Sequence, residues 1–69
     1  MKTFEINSSA LNTVKYDEIK KQLFITFVSG REYRFDNVPA EVMAEFEVAE
    51  SKGKFYNTEI KNKYTWGEV

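Results

Sequence analysis

The C-terminal third of the chain alternates lysines with aromatic side chains, and these residues have the clearest potential for binding chemistry. Residues 51–66 carry four lysines against a single glutamate, Glu59, although the whole chain has a net charge of −1. Ammonium groups contact phosphates and aromatic faces accept unstacked bases, so this mixture is typical of proteins that bind single-stranded RNA. The predicted RNA-binding residues are Lys52, Lys54, Tyr56, Lys61, Lys63 and Tyr64, with Arg34 from an earlier segment.

Two other interpretations of these surfaces stay open. Phe55 and Ile60 can lie in the core while the lysines form a solvated rim around them. Residues 40–50 carry four glutamates and no lysine, so a protein partner could instead bind this acidic segment or a sheet face around Phe24. RNA is the partner that we favour, and the alternative is a protein–protein interaction adaptor.

The chain lacks the residues on which most catalytic and metal sites depend. It contains no His and no Cys, whereas acid–base catalysis near neutral pH most often uses His and a nucleophile needs an adjacent base. Ser8 and Ser9 are therefore interpreted as a cap or a turn. The carboxylates of Glu41, Glu45 and Glu47 are interpreted as a solvated helix face rather than a metal site. We predict that the protein is not an enzyme and binds no cofactor or metal.

Size and composition limit the architecture to one domain that is stabilised by packing alone. The chain has 69 residues and no cysteine for a disulfide, but 6 Phe, 4 Tyr and 1 Trp provide large apolar groups. No apolar run approaches the roughly 18 residues that span a bilayer. The first six residues lack the apolar region of a signal peptide. We expect a single domain, residues 1–69, in the cytoplasm and without membrane contact.

Hydrophobic periodicity predicts the elements that position these residues. Strands are predicted at residues 11–16, 22–28 and 31–35, where apolar side chains recur at every second position. The short links between them, including a tight turn at Ser29-Gly30, favour an antiparallel meander. A helix is expected to begin at Pro39 and to end at Gly53 in a left-handed cap, followed by a short helical segment over residues 54–62.

The predicted fold is therefore α+β, with the order β-β-β-α-α. Both helical segments should pack on one face of a three-stranded antiparallel sheet. The expected core residues are Leu23, Ile25, Phe27, Tyr33, Phe35, Val42 and Phe46. For Tyr33 and Phe35 a stacking platform on an exposed sheet face is the alternative.

A series of short motifs extends along almost the whole chain. They are Ser8-Ser9, Val14-Lys15-Tyr16-Asp17, Leu23 to Phe27, Gly30, Tyr33-Arg34-Phe35, Val38-Pro39, Ser51-Lys52-Gly53, Phe55-Tyr56-Asn57 and Ile60-Lys61 through Tyr64. In this order and spacing they resemble the KTSC domain, a family named for a segment at the C-terminus of some lysyl-tRNA synthetases. The resemblance covers residues 7 to 64 and implies a small bacterial or phage protein, with RNA binding suggested by the synthetase context. The family's central Tyr-x-Tyr corresponds to Tyr33-Arg34-Phe35, in which Phe replaces the second Tyr and only a hydroxyl is lost.

Overall fold

Five strands form one antiparallel sheet in which neighbours in sequence are also neighbours in space. The computed structural model describes residues 2–5 and 10–69, so Ser8 and Ser9 lie outside the described residues. The strands are β1 (Lys2–Glu5), β2 (Leu11–Asp17), β3 (Gln22–Phe27), β4 (Glu32–Phe35) and β5 (Trp66–Glu68). The helices are α1 (Ala40–Val48) and α2 (Lys52–Phe55), and α2 continues directly into a π-helical turn (Tyr56–Ile60).

The α+β class and the antiparallel order are confirmed, and the sheet has two more strands than the periodicity predicted. The three predicted strands correspond to β2, β3 and β4, with ends that differ by one residue at most. The additional strands, β1 and β5, form the two edges of the sheet. β5 has only three residues with Gly67 at its centre, so it contains no alternation that could have revealed it.

Two turns set the register of the central strands. After β2, the Asp17 carboxylate accepts hydrogen bonds from the backbone N–H groups of Ile19 and Lys20, both at 3.1 Å. After β3, the N–H of Phe27 donates to the Arg31 carbonyl at 2.8 Å, which closes a three-residue loop. Gly30 in that loop has φ 95°, a left-handed conformation that such hairpin loops require and that glycine adopts without a steric penalty.

The first helix begins where expected but ends earlier than predicted. Pro39 precedes its first residue, and the Pro39 carbonyl accepts the first helical hydrogen bond from Val42 at 3.1 Å. The predicted left-handed cap at Gly53 is wrong, because the chain leaves α1 at Ala49 in an extended conformation and Gly53 lies inside α2. The Ser51 hydroxyl accepts a hydrogen bond from the Lys54 N–H and so starts a new helix at this point.

One face of the sheet carries the core under the helical layer. The buried residues are Leu11, Val14, Tyr16, Leu23, Ile25, Phe35, Val38, Met43, Phe46 and Ile60. Of the predicted core, Leu23, Ile25, Phe35 and Phe46 are buried, whereas Phe27, Tyr33 and Val42 are half-buried and pack against it. The stacking-platform alternative therefore fails for Phe35.

Tyr16 joins the sheet to the loop before α1 through a buried hydrogen bond. Its hydroxyl donates to the Val38 carbonyl at 2.6 Å. Burial raises the pKa of the Tyr16 phenol above its ordinary value, and nearby carboxylates, Glu18 first among them, add to the shift. The hydroxyl therefore stays protonated, and able to donate, throughout the neutral range.

Replacing Phe46 by Ala should cost about 3–5 kcal/mol of unfolding free energy, because the ring is fully buried and its removal leaves a cavity. Ile19→Ala is the control, since that side chain is 93% exposed and its truncation should change stability by about 0.5 kcal/mol or less. Urea unfolding followed by circular dichroism measures both values. Equal losses in the two variants would contradict the assignment of the core.

Alkaline pH should destabilise the folded protein. Because folding raises the pKa of Tyr16, its contribution is complete below the unfolded pKa of about 10 and is lost as the pH rises through the folded value. Tyr16→Phe removes this ionisation. Between about pH 9 and pH 12 the melting temperature of the variant should therefore fall less than that of the wild type. At neutral pH the same variant should lose about 1–3 kcal/mol, since the buried Val38 carbonyl loses its donor. An equal fall in the melting temperature of both proteins above about pH 10, the ordinary pKa of tyrosine, would refute this role.

Candidate functional site

A pocket of about 370 Å³ opens between the helix-covered face of the sheet and the π-helical turn. Its aromatic lining comes from β3, β4, the π-helical turn and β5, namely Phe27, Tyr33, Phe35, Tyr56 and Trp66. Polar side chains at the same pocket are Asn57, Lys61 and Asn62. We refer to these eight residues as the aromatic pocket. Its volume is within the range of about 300–1,000 Å³ that is usual for small-ligand sites.

The five rings of the pocket contact one another edge to face. The ring centroids of Tyr56 lie 5.2 Å from those of Phe27 and 5.9 Å from those of Phe35. Tyr33 lies 5.4 Å from Phe27 and 5.2 Å from Trp66, with interplanar angles of 74° and 83°. Perpendicular contacts at these distances are favourable because a ring edge carries positive charge and a ring face negative charge. The five rings therefore form one continuous lining.

The sheet register brings Trp66 to this cluster. Phe35 is paired with Trp66 and Tyr33 with Glu68 in the antiparallel ladder between β4 and β5. Two backbone hydrogen bonds of 2.8 Å, from Asp36 to Thr65 and from Val69 to Glu32, hold the two ends of this short ladder. Trp66 nevertheless remains 54% exposed, so much of its indole is accessible to a ligand.

The π-helical turn brings Lys61 to the pocket beside Tyr56. The backbone N–H of Lys61 donates to the Tyr56 carbonyl at 2.8 Å, a hydrogen bond between residues five apart. In an α-helix, with 3.6 residues per turn, residues five apart would be separated by about 140° around the axis. The π-helical turn has more residues per turn, so it places Tyr56 and Lys61 nearly one above the other. Asn62 follows with φ 68°, and the Lys63 N–H closes the segment on the Ile60 carbonyl.

Two phenols of the pocket have defined environments. Burial raises the pKa of Tyr56 above its ordinary value, and the neighbouring Tyr33 adds to this effect. The side chain of Tyr33, and after it the Glu68 carboxylate, raise the pKa of the Arg31 guanidinium above its ordinary value. The Tyr56 phenol therefore remains a neutral hydrogen-bonding group at physiological pH, and Arg31 is a second cation close to the pocket.

Of the seven predicted site residues, the structure brings only Tyr56 and Lys61 together in this pocket. Lys54 lines a separate groove, where it lies among the carboxylates Glu45, Glu50 and Glu59. Lys63 forms an ion pair with Glu59 at 3.5 Å. These two lysines are thus surrounded by negative charge rather than joined with Lys61 in a single cationic surface.

The remaining three predicted residues are also placed apart. The Lys52 ammonium donates to the carbonyl of Ala49 and so satisfies the end of α1. Arg34 points to the opposite sheet face, where it pairs with Asp36 at 3.0 Å. Tyr64 is half-buried against the core. Sequence spacing alone cannot show these directions, because they depend on where the short helix begins and ends.

Several residues of the pocket were not predicted to be functional. Phe27 is predicted as a core residue, Tyr33 as a core residue with a stacking platform as the alternative, and the predicted site residues do not include Trp66, Asn57 and Asn62. The available signal was the closing Thr65-Trp66-Gly67, in which a large ring near the end of a small chain needs a packing partner.

The described parts of the chain show neither a metal cluster nor a membrane-spanning helix. Residues 2–5 and 10–69 contain no group of three or more His, Cys, Asp or Glu side chains arranged to hold a metal ion. No helix in those ranges is long and apolar enough to cross a bilayer.

The fold and the site together define a small α+β domain with an aromatic pocket at the junction of sheet and helices. The model of the KTSC domain family matches residues 7–64, and the chain therefore belongs to this family. The chain is 34% identical over 64 residues to a protein of Stutzerimonas stutzeri (strain A1501), covering 93% of this chain and 90% of the relative. A protein of Tsukamurella paurometabola is 34% identical over 59 residues, which cover 86% of this chain and 88% of the relative.

A solved structure shows the same arrangement. The crystal structure of a KTSC domain protein from Yersinia pestis superposes with a TM-score of 0.94 and 28% sequence identity. The match covers 99% of this chain and 96% of the other chain, so it extends past residue 64, where the family model ends, into the region of β5.

Removing the Tyr33 ring should move the fluorescence of Trp66 to longer wavelength, because the indole then loses its edge-to-face partner and becomes more hydrated. Trp66 is the one tryptophan of the chain, so the emission reports on the pocket directly. Phe24→Ala is the matched control, since Phe24 lies opposite Arg34 on the other sheet face. Emission spectra of Tyr33→Ala, the control and the wild type test the contact, and equal shifts in both variants would argue against it.

Proposed function

We propose that this KTSC-domain protein is a non-catalytic RNA-binding module that accepts an unstacked base in the aromatic pocket. The observation that supports the proposal is the juxtaposition of Tyr56 and Trp66 with the Lys61 ammonium. Lys61 has no ion-pair partner within the described ranges, unlike Lys63 and Arg34. Aromatic rings bind bases by stacking, and a free ammonium can contact the adjoining phosphate.

The charge distribution indicates that stacking contributes more than phosphate contacts. For single strands the logarithm of affinity falls by about 0.7 per phosphate contact for each tenfold rise in salt. Between about 50 and 200 mM salt, one contact at Lys61 thus predicts a loss of about 2.6-fold, whereas four lysine contacts would predict about 50-fold. Stacking, worth about 1–3 kcal/mol per base, depends little on salt. We expect weak salt dependence and modest affinity.

A protein partner is the second candidate function, supported by the groove that contains Glu45, Glu50 and Glu59. The groove holds only one lysine, Lys54, and is open to solvent. A basic peptide would complement its charge. The outer sheet face around Phe24 is a weaker choice for a charged partner, since its cations are already paired with Glu32 and Asp36.

Lys61→Glu should weaken binding of a mixed-sequence single-stranded RNA by about tenfold or more, because it replaces phosphate attraction by repulsion. Trp66→Ala should weaken it by about 1–3 kcal/mol, the value of one stacked base. Fluorescence anisotropy of labelled RNA measures all affinities, and quenching of Trp66 confirms where the RNA binds.

Two variants with the same change of charge serve as controls. Lys20→Glu lies in the turn after β2, and Lys54→Glu lies in the acidic groove. Both should bind RNA within about twofold of the wild type, since neither lysine lies in the aromatic pocket and neither variant loses a direct phosphate contact. Equal weakening by all three charge reversals would show that binding is diffuse, and no binding at high micromolar protein would rule out the RNA function.

A further inference from the structure

We infer that the aromatic pocket is a single-nucleotide site in which the carboxamides of Asn57 and Asn62 read the edge of the bound base. This inference rests on the proposed RNA-binding function and adds base selectivity to it. The ligand class is a ribonucleoside monophosphate, either free or as one unit of a strand.

The two asparagines are the groups of the pocket best suited to recognise a base edge. Both line the pocket, and neither side chain forms a hydrogen bond with another described residue. A carboxamide presents a donor and an acceptor side by side, so it can pair in a bidentate manner with adjacent groups on a base edge. The phenol of Tyr56 and the indole N–H of Trp66 offer no such pair.

The backbone explains how the asparagines are held. Asn57 directly follows Tyr56, and Asn62 directly follows Lys61, so the hydrogen bond between Lys61 and Tyr56 brings the two carboxamides to the same pocket. Asn62 has φ 68°, a conformation that asparagine tolerates better than most residues. Asn57 lies in the π-helical turn without a positive φ, and asparagine is a poor helix former. The local backbone structure therefore does not account for an asparagine at this position. π-Helical turns are rare and occur frequently at functional sites.

The size and charge of the pocket limit the ligand to one nucleotide. Its volume of about 370 Å³ lies near the lower end of the usual range of about 300–1,000 Å³ for ligand sites. Among the described residues, Lys61 is the one lysine that lines it, and together with the nearby Arg31 it can balance the charge of a single phosphate group. The other lysines of residues 51–66 belong to the acidic groove or to the end of α1.

Titration of the ¹⁵N-labelled protein with AMP, GMP, CMP and UMP, and with ribose 5-phosphate, tests the inference. One nucleotide should bind about tenfold or more tightly than the weakest of the four, which lies within the discrimination that one bidentate contact gives. The shifted resonances should include those of Tyr56, Asn57, Lys61 and Asn62 and the indole of Trp66.

Asn57→Ala and Asn62→Gly should remove this selectivity and reduce all four nucleotides to similar affinity. Gly is chosen at position 62 because it accepts a positive φ. Asn12→Ala is the matched control, since Asn12 is exposed in β2 and does not line the pocket. Equal affinity for the four nucleotides in the wild type, or selectivity that survives in both pocket variants, would overturn the inference.

The same measurements separate this inference from the function on which it rests. If RNA binding is weakened by Lys61→Glu but shows no base preference, the RNA function is supported and base recognition by the asparagines is rejected. Selective binding of mononucleotides with no binding of RNA supports the base reading and rejects the RNA function. Binding of neither RNA nor mononucleotides rejects both.

Discussion

The packing of Tyr56 between the sheet and the helical layer is the contact on which the site depends. Its ring meets Phe27 from β3 and Phe35 from β4, and its carbonyl accepts the hydrogen bond of Lys61. A chain without cysteine has no disulfide to fix a short helix against a sheet, so aromatic contacts must do so. The stacked rings of Phe46 and Phe55, 5.1 Å apart, join α1 to α2 in the same way. One set of rings thus both closes the fold and lines the pocket.

The four lysines of residues 51–66 do not form one surface in the folded protein. In the sequence they form one basic segment, but the separate start of α2 at Ser51 and the π-helical turn direct them to different surfaces. Lys54 and Lys63 are turned towards glutamates, and Lys61 alone is turned towards the rings. Because the net charge is −1, no long-range field compensates for this dispersal. Any affinity for RNA must therefore come mainly from the aromatic surface, which also favours a ligand of defined shape.

Much of the fold could be predicted because apolar residues recur at every second position in three strands. The residues of β3 alternate so regularly that their pattern places Leu23 and Ile25 in the core, where both are buried. The edge strand β5 and the early end of α1 could not be predicted, since both depend on tertiary pairing and on the Ser51 cap. For the site, Tyr56 and Lys61 were predicted. Trp66 lies in the same pocket because the ladder between β4 and β5 holds it there. Spacing along the chain cannot reveal which side chains an edge strand brings together, because that depends on how the strand pairs with the sheet.

The substitution of Phe35 for the second Tyr of the family pattern also has a physical explanation in this fold. Phe35 is fully buried, and a hydroxyl in its place would need a hydrogen-bond partner or would cost about 1–3 kcal/mol when left unsatisfied. Tyr33, in contrast, is half-buried and lines the pocket. The tyrosine that remains in Tyr33-Arg34-Phe35 is thus the one that lines the pocket without being fully buried. Phenylalanine at position 35 therefore keeps an unpaired polar group out of the core.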